Sequence, residues 1–476
     1  MAGLFHTLNM GAESLHANRQ GVDTAGHNIA NAQVEGFSRQ RVNIEQRQPL
    51  ESRGLIIGNG VFVRNITRSH DKFLEGQVNL TNQNMGRSET LHENLSAIEE
   101  IYSPALNAQV SDEMTKFFNG VQDLSNFPDE LPVRTALRES AQDLAISFRR
   151  VDESLRRSQG DLNTKIEAEA QELSAGLKQV AQLNVSISTM EGGQNMPAND
   201  LRDQRDKVVR DLTKRIDLHY YEDENGMLVI RGPQDTILVD GKRPSSFFVR
   251  ATGGKQGRGF NELILVDSEG GNVRTMSDKV RSGKVSALFE IRDNICERLL
   301  EKNNEMAFVM SDKFNEIHKQ GYGIGQFSSG SGRNFFQPLV DKEFAAQNFR
   351  IADTIAESTD SIAAASSPEA PGDNVVANLL GTLKDTRILN DGKATLNEYY
   401  ADYVGIVGLD TLRAEQMKQA DSILMGDLNT RREGVAGVSL DEEAVNILKW
   451  QAAFTASSKV ITTTDEMIET VLGLKR

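Results

Sequence analysis

Residues 23–42 read DTAGHNIANAQVEGFSRQRV. The stretch begins as helix, with Ala25, Ile29 and Ala30 on one side, and breaks at Gln33–Gly36–Phe37–Ser38 into strand-like sequence. Small and amide residues stand where a buried face should be apolar. Upstream, Leu8, Leu15, Val22 and Ile29 recur every seven residues, and Leu4, Gly11, Asn18 and Ala25 fill a second line. Sustained sevens mark a helix that packs along another helix. A second line of small and polar residues makes a poor core but allows close contact between neighbours.

The far end of the chain answers this one. Ser439 and Glu442 form a capping-box start. Leu440, Ile447, Phe454, Ile461 and Ile468 then stand at strict intervals of seven, and the expected second line is Ala444, Gln451, Ser458, Asp465 and Leu472. One two-helix seam leaves half of each stripe in water. The ends are therefore expected to order fully only among copies or relatives. An ordinary intramolecular coiled coil of the two termini fits the same periodicity.

Between the ends the period changes several times. RVNI at 41–44 and LIIGNGVFVRNI at 55–66 alternate with period two, and Asn59-Gly60 reads as the turn of a hairpin. Helical spacing returns after Ser69. The turn NFPDELP (126–132) precedes a long helix over roughly 133–190, on the order of 85 Å at about 1.5 Å per residue. The charged helix NDLRDQRDKVVRDL (199–212) follows, with Asp200, Asp203 and Asp206 amid Arg202, Arg205 and Lys207, the pattern of a solvated ion-pair face. Residues 218–275 read as strands with an Asn225-Gly226 turn, 283–319 as helix, 321–394 as mixed with an exposed loop at 366–374, and 395–431 as helix.

The expected fold is α+β, mainly α, elongated and multi-domain. Its parts are an N-terminal core helix (1–35), a β-hairpin segment (36–70), a helical domain (71–217, returning at 281–330 and 395–437), a β-rich outer domain (218–280), a mixed segment (331–394) and a C-terminal core helix (438–476).

Composition narrows the function classes. A net charge of −15 over 476 residues argues against nucleic acid as partner. No run reaches 18 apolar residues, so no membrane insertion is expected. The N-terminus shows neither a basic leader nor an apolar h-region, so no cleavable secretory signal is expected. Cys296 is alone, which excludes an internal disulfide. His6, His16 and His27 fall on different helix faces and cannot share a metal. ATGGKQGRGF (251–260) and SSGSGR (328–333) lack the Gly-Lys-Ser/Thr of a phosphate loop. Tyr399, Tyr400 and Tyr403 read as core or interface, Trp450 as an interface anchor or a buried side chain, and Cys296 as core. With no nucleophile–base arrangement, no catalytic residue, cofactor or metal is expected, and a structural protein is.

Several of these segments carry a likeness. The helix ending in Ala-Asn-Ala and a Gly-Phe turn, with Asn28, Asn31, Gly36 and Phe37, resembles the N-terminal signature of the bacterial flagellar axial (rod, hook and hook-associated) proteins. The continuation Ser-Arg-Gln-Arg, the segment 199–212, SGKVSALFEIRD (282–293) and the region 315–323 are similar to its hook-associated members. Residues 437–474 resemble the family's closing helix. The resemblance implies a structural adaptor at the hook–filament junction, outside the cell after type III export. Implied partners are copies of itself in a ring-like layer, hook protein, hook-associated protein 3 and an export chaperone on the C-terminal helix. Leu4, Leu8, Leu15, Val22 and Ile29, with Leu440, Ile447, Phe454, Ile461 and Ile468, would then be assembly contacts. A cytoplasmic coiled-coil scaffold, or another hook or rod component, remains an alternative.

Overall fold

The computed structural model describes residues 2–52, 55–103, 110–192, 196–252 and 259–473. In chain order the elements are α1 (Ala2–Asn31), β1 (Gln40–Gln46), β2 (Leu50–Ser52), β3 (Leu55–Ile57), β4 (Val61–Arg68), α2 (Lys72–Ile101), α3 (Val110–Asn126), α4 (Leu131–Glu191) and α5 (Asn199–Arg215). Strands β5 (His219–Glu222), β6 (Leu228–Gly232), β7 (Thr236–Asp240), β8 (Arg243–Pro244), β9 (Ser246–Ala251), β10 (Asn261–Val266) and β11 (Val273–Thr275) follow. The further α-helices are α6 (Gly283–Glu290), α7 (Cys296–His318), α8 (Ala345–Asn348), α9 (Asp353–Glu357), α10 (Val375–Thr382), α11 (Leu396–Ala436) and α12 (Leu440–Gly473). A π-helical turn at Ile291–Ile295 joins α6 to α7.

The chain forms two compact units. One comprises residues 1–87, 168–285 and 420–476, and the other 88–167 and 286–419. Helices α2, α4 and α11 each contribute residues to both.

Among the described residues, β1–β11 all lie in the first unit. Antiparallel β5-β6-β7-β8 and β9-β10-β11 carry buried Leu228, Ile230, Leu238, Leu263 and Ile264. These pack with the end of α4, where Ser174 Oγ accepts from Phe247 N at 2.8 Å and donates to Phe247 O at 2.7 Å. Asn184, fully buried, donates to Leu228 O and Gly241 O and accepts from Leu228 N. An unpaired amide there would cost about 1–3 kcal/mol, so these bonds fix the register of sheet on helix. The Asn225-Gly226 turn forms as expected, with Gly226 at φ +75°. The Asn59-Gly60 turn does not close a hairpin. β1 pairs with β4 instead, and β2 with β3. Gly60, at φ +77°, is a bend under which Met10 of α1 passes, because a Cβ there would lie 2.7 Å from Met10 Cγ.

The second unit gathers most of the chain's aromatic side chains. Phe117 of α3, Phe314 of α7 and Phe335, Phe336 and Phe349 meet with ring centroids 4.7–5.9 Å apart. Tyr102, Tyr400 and Tyr403 form a second buried group. The fully buried guanidinium of Arg134 donates to the carbonyls of Pro128 at 2.7 Å and Ile362 at 2.7 Å, tying the turn before α4 to the mixed segment. Burial holds its pKa down at about 10.

His318, at the end of α7, is fully enclosed in this unit. Its Nδ1–H donates to Arg333 O at 2.9 Å, and its Nε2 accepts from Ala363 N–H at 2.8 Å. Acceptance at Nε2 requires the neutral ring, and burial, helped by the charges of Arg333 and Arg134, lowers its pKa from 6.5 to about 4 against the bond to Arg333 O. The unfolded chain takes up this proton near pH 6.5 and the folded one does not. The contribution is full above that pH and is lost as pH falls towards 4, by up to roughly 3 kcal/mol. Urea unfolding of wild type and His318→Gln at pH 7 and pH 4.5 checks this: the wild type should lose more stability between the two than the variant. Equal losses would contradict it.

Candidate assembly surface and its joint

Helices α1 and α12 pack along each other within the first unit. The buried side of α1 is its small and polar one: Gly11, Ala17, Asn18, Gly21, Thr24, Ala25 and Asn28. On α12 the buried line is Glu443, Ser457 and Thr464, with Trp450 half-buried between them. This replaces the expected second line, whose Ala444, Gln451, Asp465 and Leu472 are exposed. Both lines keep sevens, but the helix turns its face three residues after each apolar position rather than four. One reason lies on α1, where Gly21 leaves room for the Trp450 indole.

Trp450 rests on Gly21, where a Cβ would lie within 2.7 Å of three indole atoms. Ile461 covers Gly11, with Cγ1 2.9 Å from the Cβ position. Between them the Ser457 hydroxyl is 3.0 Å from that of Ser14 and accepts from Asn18 Nδ2 at 3.1 Å. Leu4, Leu8, Leu15, Val22 and Ile29 are half-buried along the edges, as are Ile447, Phe454, Ile461 and Ile468, while Leu440 is exposed. Further apolar side chains on α12, Val445, Leu448, Met467 and Val471, are exposed.

The quoted stretch is the joint that holds this helix pair. Asn28 presents its side-chain amide as a strand would, donating to Gln40 O and accepting from Gln40 N, both at 2.9 Å. Asn31 Nδ2 donates to His27 O at 3.0 Å, closing the end of α1. Gly36, at φ +87°, takes the left-handed turn that favours glycine. It brings Phe37 edge-on to the His27 ring, 5.5 Å between centroids. Ser38 then donates twice to Asp203 of α5, from N and from Oγ, each at 2.8 Å. Arg39 N donates to Ala436 O at 2.8 Å, and its guanidinium reaches Glu442 at 2.7 Å and Glu443 at 2.6 Å. The capping box is thus half made: Ser439 Oγ accepts from Glu442 N at 3.4 Å, but the Glu442 carboxylate goes to Arg39.

The segment NDLRDQRDKVVRDL is the other half of the joint, and Asp203 and Asp206 are buried rather than solvated. Arg68 Nη1 lies 2.6 Å from a carboxylate oxygen of each. Burial works against the charge of Arg68, yet Asp206 and Asp203 outweigh it and raise its pKa. Burial also pushes the Asp203 carboxyl up against the bonds from Arg68 and Ser38. Buried ions of this kind are stable only as a set. Asp200 alone stays at the surface, near His27 and Gln40. Reading from the sequence missed Ser38, Arg39, Gln40, Arg68 and Glu443 as contact residues. The seven-residue spacing of Glu443, Trp450, Ser457 and Thr464 was the available signal.

No group of three metal-ligating side chains occurs among the described residues. The Cys296 thiol is buried and pushed up to about 12. Residues 253–258 of the first glycine-rich segment lie outside the described residues, and 328–333 is a loop anchored by Gly332 N on Lys319 O. No helix among the described residues is long and apolar enough to cross a membrane.

The model of the flagellar hook-associated protein FlgK helical domain matches residues 95–336, just over half of the chain. The chain belongs to the flagellar hook-associated protein FlgK family. A second model, flagellar basal body rod FlgEFG protein C-terminal, matches 435–474, which is α12 with its lead-in. Flagellar hook-associated protein 1 of Bacillus subtilis (strain 168) is 26% identical over 99% of both chains. The Salmonella typhimurium protein of the same name is 24% identical over 98% of this chain and 99% of its own. The solved structure of the flagellar hook junction protein FlgK from Burkholderia pseudomallei shares the fold, with a TM-score of 0.67 at 13% identity over 76% of this chain and all of that one. Within the FlgK family frame, the glycine seam lies outside the matched helical domain, at the two ends of the chain, and the joint ties those ends to Asp203 and Asp206 within it.

Two contrasts test this geometry. Gly21→Ala should lower stability by about 1–3 kcal/mol through overpacking against Trp450. Gly26→Ala, on an open face, should raise it by about 0.5–1 kcal/mol. Indole fluorescence during urea unfolding reads both, since Trp450 is the chain's one tryptophan. Asp203→Asn should cost about 3 kcal/mol, and Asp200→Asn under about 1 kcal/mol. Equal costs would show that the cluster is not a unit.

Proposed function

We propose that this chain is a structural adaptor of the bacterial flagellum, placed between hook and filament. The observation that carries the reading is the full-length correspondence with proteins named flagellar hook-associated protein 1, 98–99% of this chain and 99% of theirs. The match of α12 to the C-terminal model of rod proteins supports a terminal helix shared among axial components. The exposed row Val445, Leu448, Met467 and Val471 supports contacts beyond the molecule, because apolar side chains aligned along a helix are covered in assemblies.

In this reading the chain leaves the cell unfolded through the flagellar type III apparatus, with a cytoplasmic chaperone on α12. It then forms a ring-like layer of copies, with hook protein on one side and hook-associated protein 3 on the other. The half-buried lines Leu4–Ile29 and Ile447–Ile468, with Leu440, are the assembly contacts. A contact that is not self-complementary generates a ring where its rotation closes and a helical layer where it does not. Its role is mechanical, with no reaction to catalyse.

Removing the gene from its host should leave hooks without filaments and filament protein in the medium. The wild-type chain should restore filaments. A chain lacking 440–476 should remain folded, judged by tyrosine circular dichroism, and restore none; the pair Leu448→Asp and Met467→Asp should behave alike. Filaments restored by the truncated chain would overturn the reading.

A further inference from the structure

The Asn59-Gly60 pair, which forms a bend and not the expected hairpin turn, stands in the sequence with two others of its kind, Asn119-Gly120 and Asn225-Gly226. This dipeptide carries chemistry of its own. The glycine nitrogen, with no Cβ beside it, can attack the asparagine side-chain carbonyl carbon and close a five-membered succinimide. The attack requires the glycine N–H to give up its proton to base and the nitrogen to swing onto Cγ. A glycine N–H held in a backbone hydrogen bond can do neither until that bond opens.

Asn119 and Asn225 have the more exposed side chains, and exposure alone would put them first. Both of their glycines are engaged. Gly120 lies inside α3, where its N–H belongs to the helix ladder, and Leu137 and Ser140 of α4 stand against its Cα. Gly226 N donates to Asp223 O at 3.1 Å, and Gly226 O accepts from Arg205 Nη1 at 2.9 Å. Asn225 N is tied as well, donating to Asp223 Oδ1 at 2.9 Å.

Asn59 differs from both. Residues 58–60 belong to no strand, and Gly60 N–H has no hydrogen-bond acceptor among the described residues. The half-buried Asn59 side chain is held by one bond there, its Nδ2 donating to Gln48 O at 3.2 Å. The flanks are fixed: Gly60 O accepts from Arg47 N at 3.0 Å, and Gly58 O accepts from His6 Nε2 at 3.2 Å. The reacting pair is thus unrestrained between two clamped ends.

We propose that Asn59 is a site of spontaneous deamidation in the folded chain, and that conversion there loosens the bend from the end of β1. Base removes the Gly60 N–H proton, the nitrogen bonds to Asn59 Cγ, and the side-chain amide leaves as ammonia with a proton from water. Water then adds to one or the other succinimide carbonyl, giving aspartate or isoaspartate at 59; the net change is water taken up and ammonia released. Aspartate sets a carboxylate against Gln48 O in place of a donor. Isoaspartate lengthens the main chain by one carbon just before Gly60, where Met10 leaves no slack, since a Cβ on that glycine would lie 2.7 Å from Met10 Cγ. Either product strains the adjacent Arg47 N–Gly60 O bond. Conversion is one-way without a repair enzyme, so its extent records the age of the folded chain.

The test follows the full-length chain at pH 8, folded and in guanidinium chloride, by peptide mapping and mass spectrometry over weeks. In the folded chain Asn59 should convert about tenfold faster than Asn119 and Asn225, the factor that about 1.4 kcal/mol of opening free energy supplies. In guanidinium chloride the three should convert at similar rates. Asn119 or Asn225 keeping pace with Asn59 in the folded chain would overturn the proposal. So would an Asn59 that converts in guanidinium chloride and not in the folded chain. Asn59→Gln, whose longer side chain cannot close the five-membered ring, should show no conversion at 59 over the same period; conversion at the wild-type rate would overturn the succinimide route. For the consequence, Asn59→Asp should speed amide exchange at Arg47 by about tenfold over the wild type, and unchanged exchange there would contradict the loosening.

Discussion

Helices α1 and α12 use their small and polar residues on each other, and this constraint shapes the ends of the molecule. Gly21 lets the Trp450 indole lie on helix backbone, and Gly11 does the same for Ile461. Ser14, Asn18 and Ser457, then Asn28, Arg39 and Glu443, satisfy one another along the line between. A seam so narrow cannot also cover the longer side chains. Leu8, Leu15, Val22, Phe454 and Ile468 are left at its edges, and Leu448 and Met467 outside it. The apolar rows that look like a core in the sequence are thus only half used within one molecule.

The joint at 28–39 converts this helix pair from a tail into a directed element. Asp203 receives Ser38 and Arg68, and Arg39 holds the entry of α12. Backbone bonds at Arg39–Ala436 and Ser69–Arg39 add positions that no side-chain change can remove. The buried charges contribute little net stability, since desolvation offsets much of their attraction. Their effect is to make one geometry far better than its neighbours. For an adaptor between two different polymers, a fixed entry angle of the terminal helices matters more than a few kcal/mol of stability.

Much of this was legible beforehand, and the misses have physical causes. Helix ends at 131, 191, 318 and 440 lie close to their expected places because proline, glycine and capping residues act locally. The Asn225-Gly226 turn formed for the same reason. Asn59-Gly60 has identical local chemistry, yet became a bend because β1 offered β4 a longer ladder than β3 did. The α12 face was mis-set by one position because apolar spacing alone permits a second line three or four residues on. Only Gly21 opposite Trp450 decides between them, and that is a tertiary fact. Asp203 and Asp206 read as solvated since their partner, Arg68, lies about 135 residues away in sequence. The apolar lines of the candidate surface were visible as periodicity, but the residues that join it to the rest were not.

Amide hydrogen exchange of residues 2–31 and 440–473 tests the central claim most directly, in the free chain and in assembled flagella. A half-covered seam predicts rapid exchange of both segments in the free chain, well ahead of α3 and α7, and strong protection after assembly. Protection of both segments in the free chain equal to that of α3 and α7 would mean that the seam alone is sufficient, and would contradict the account.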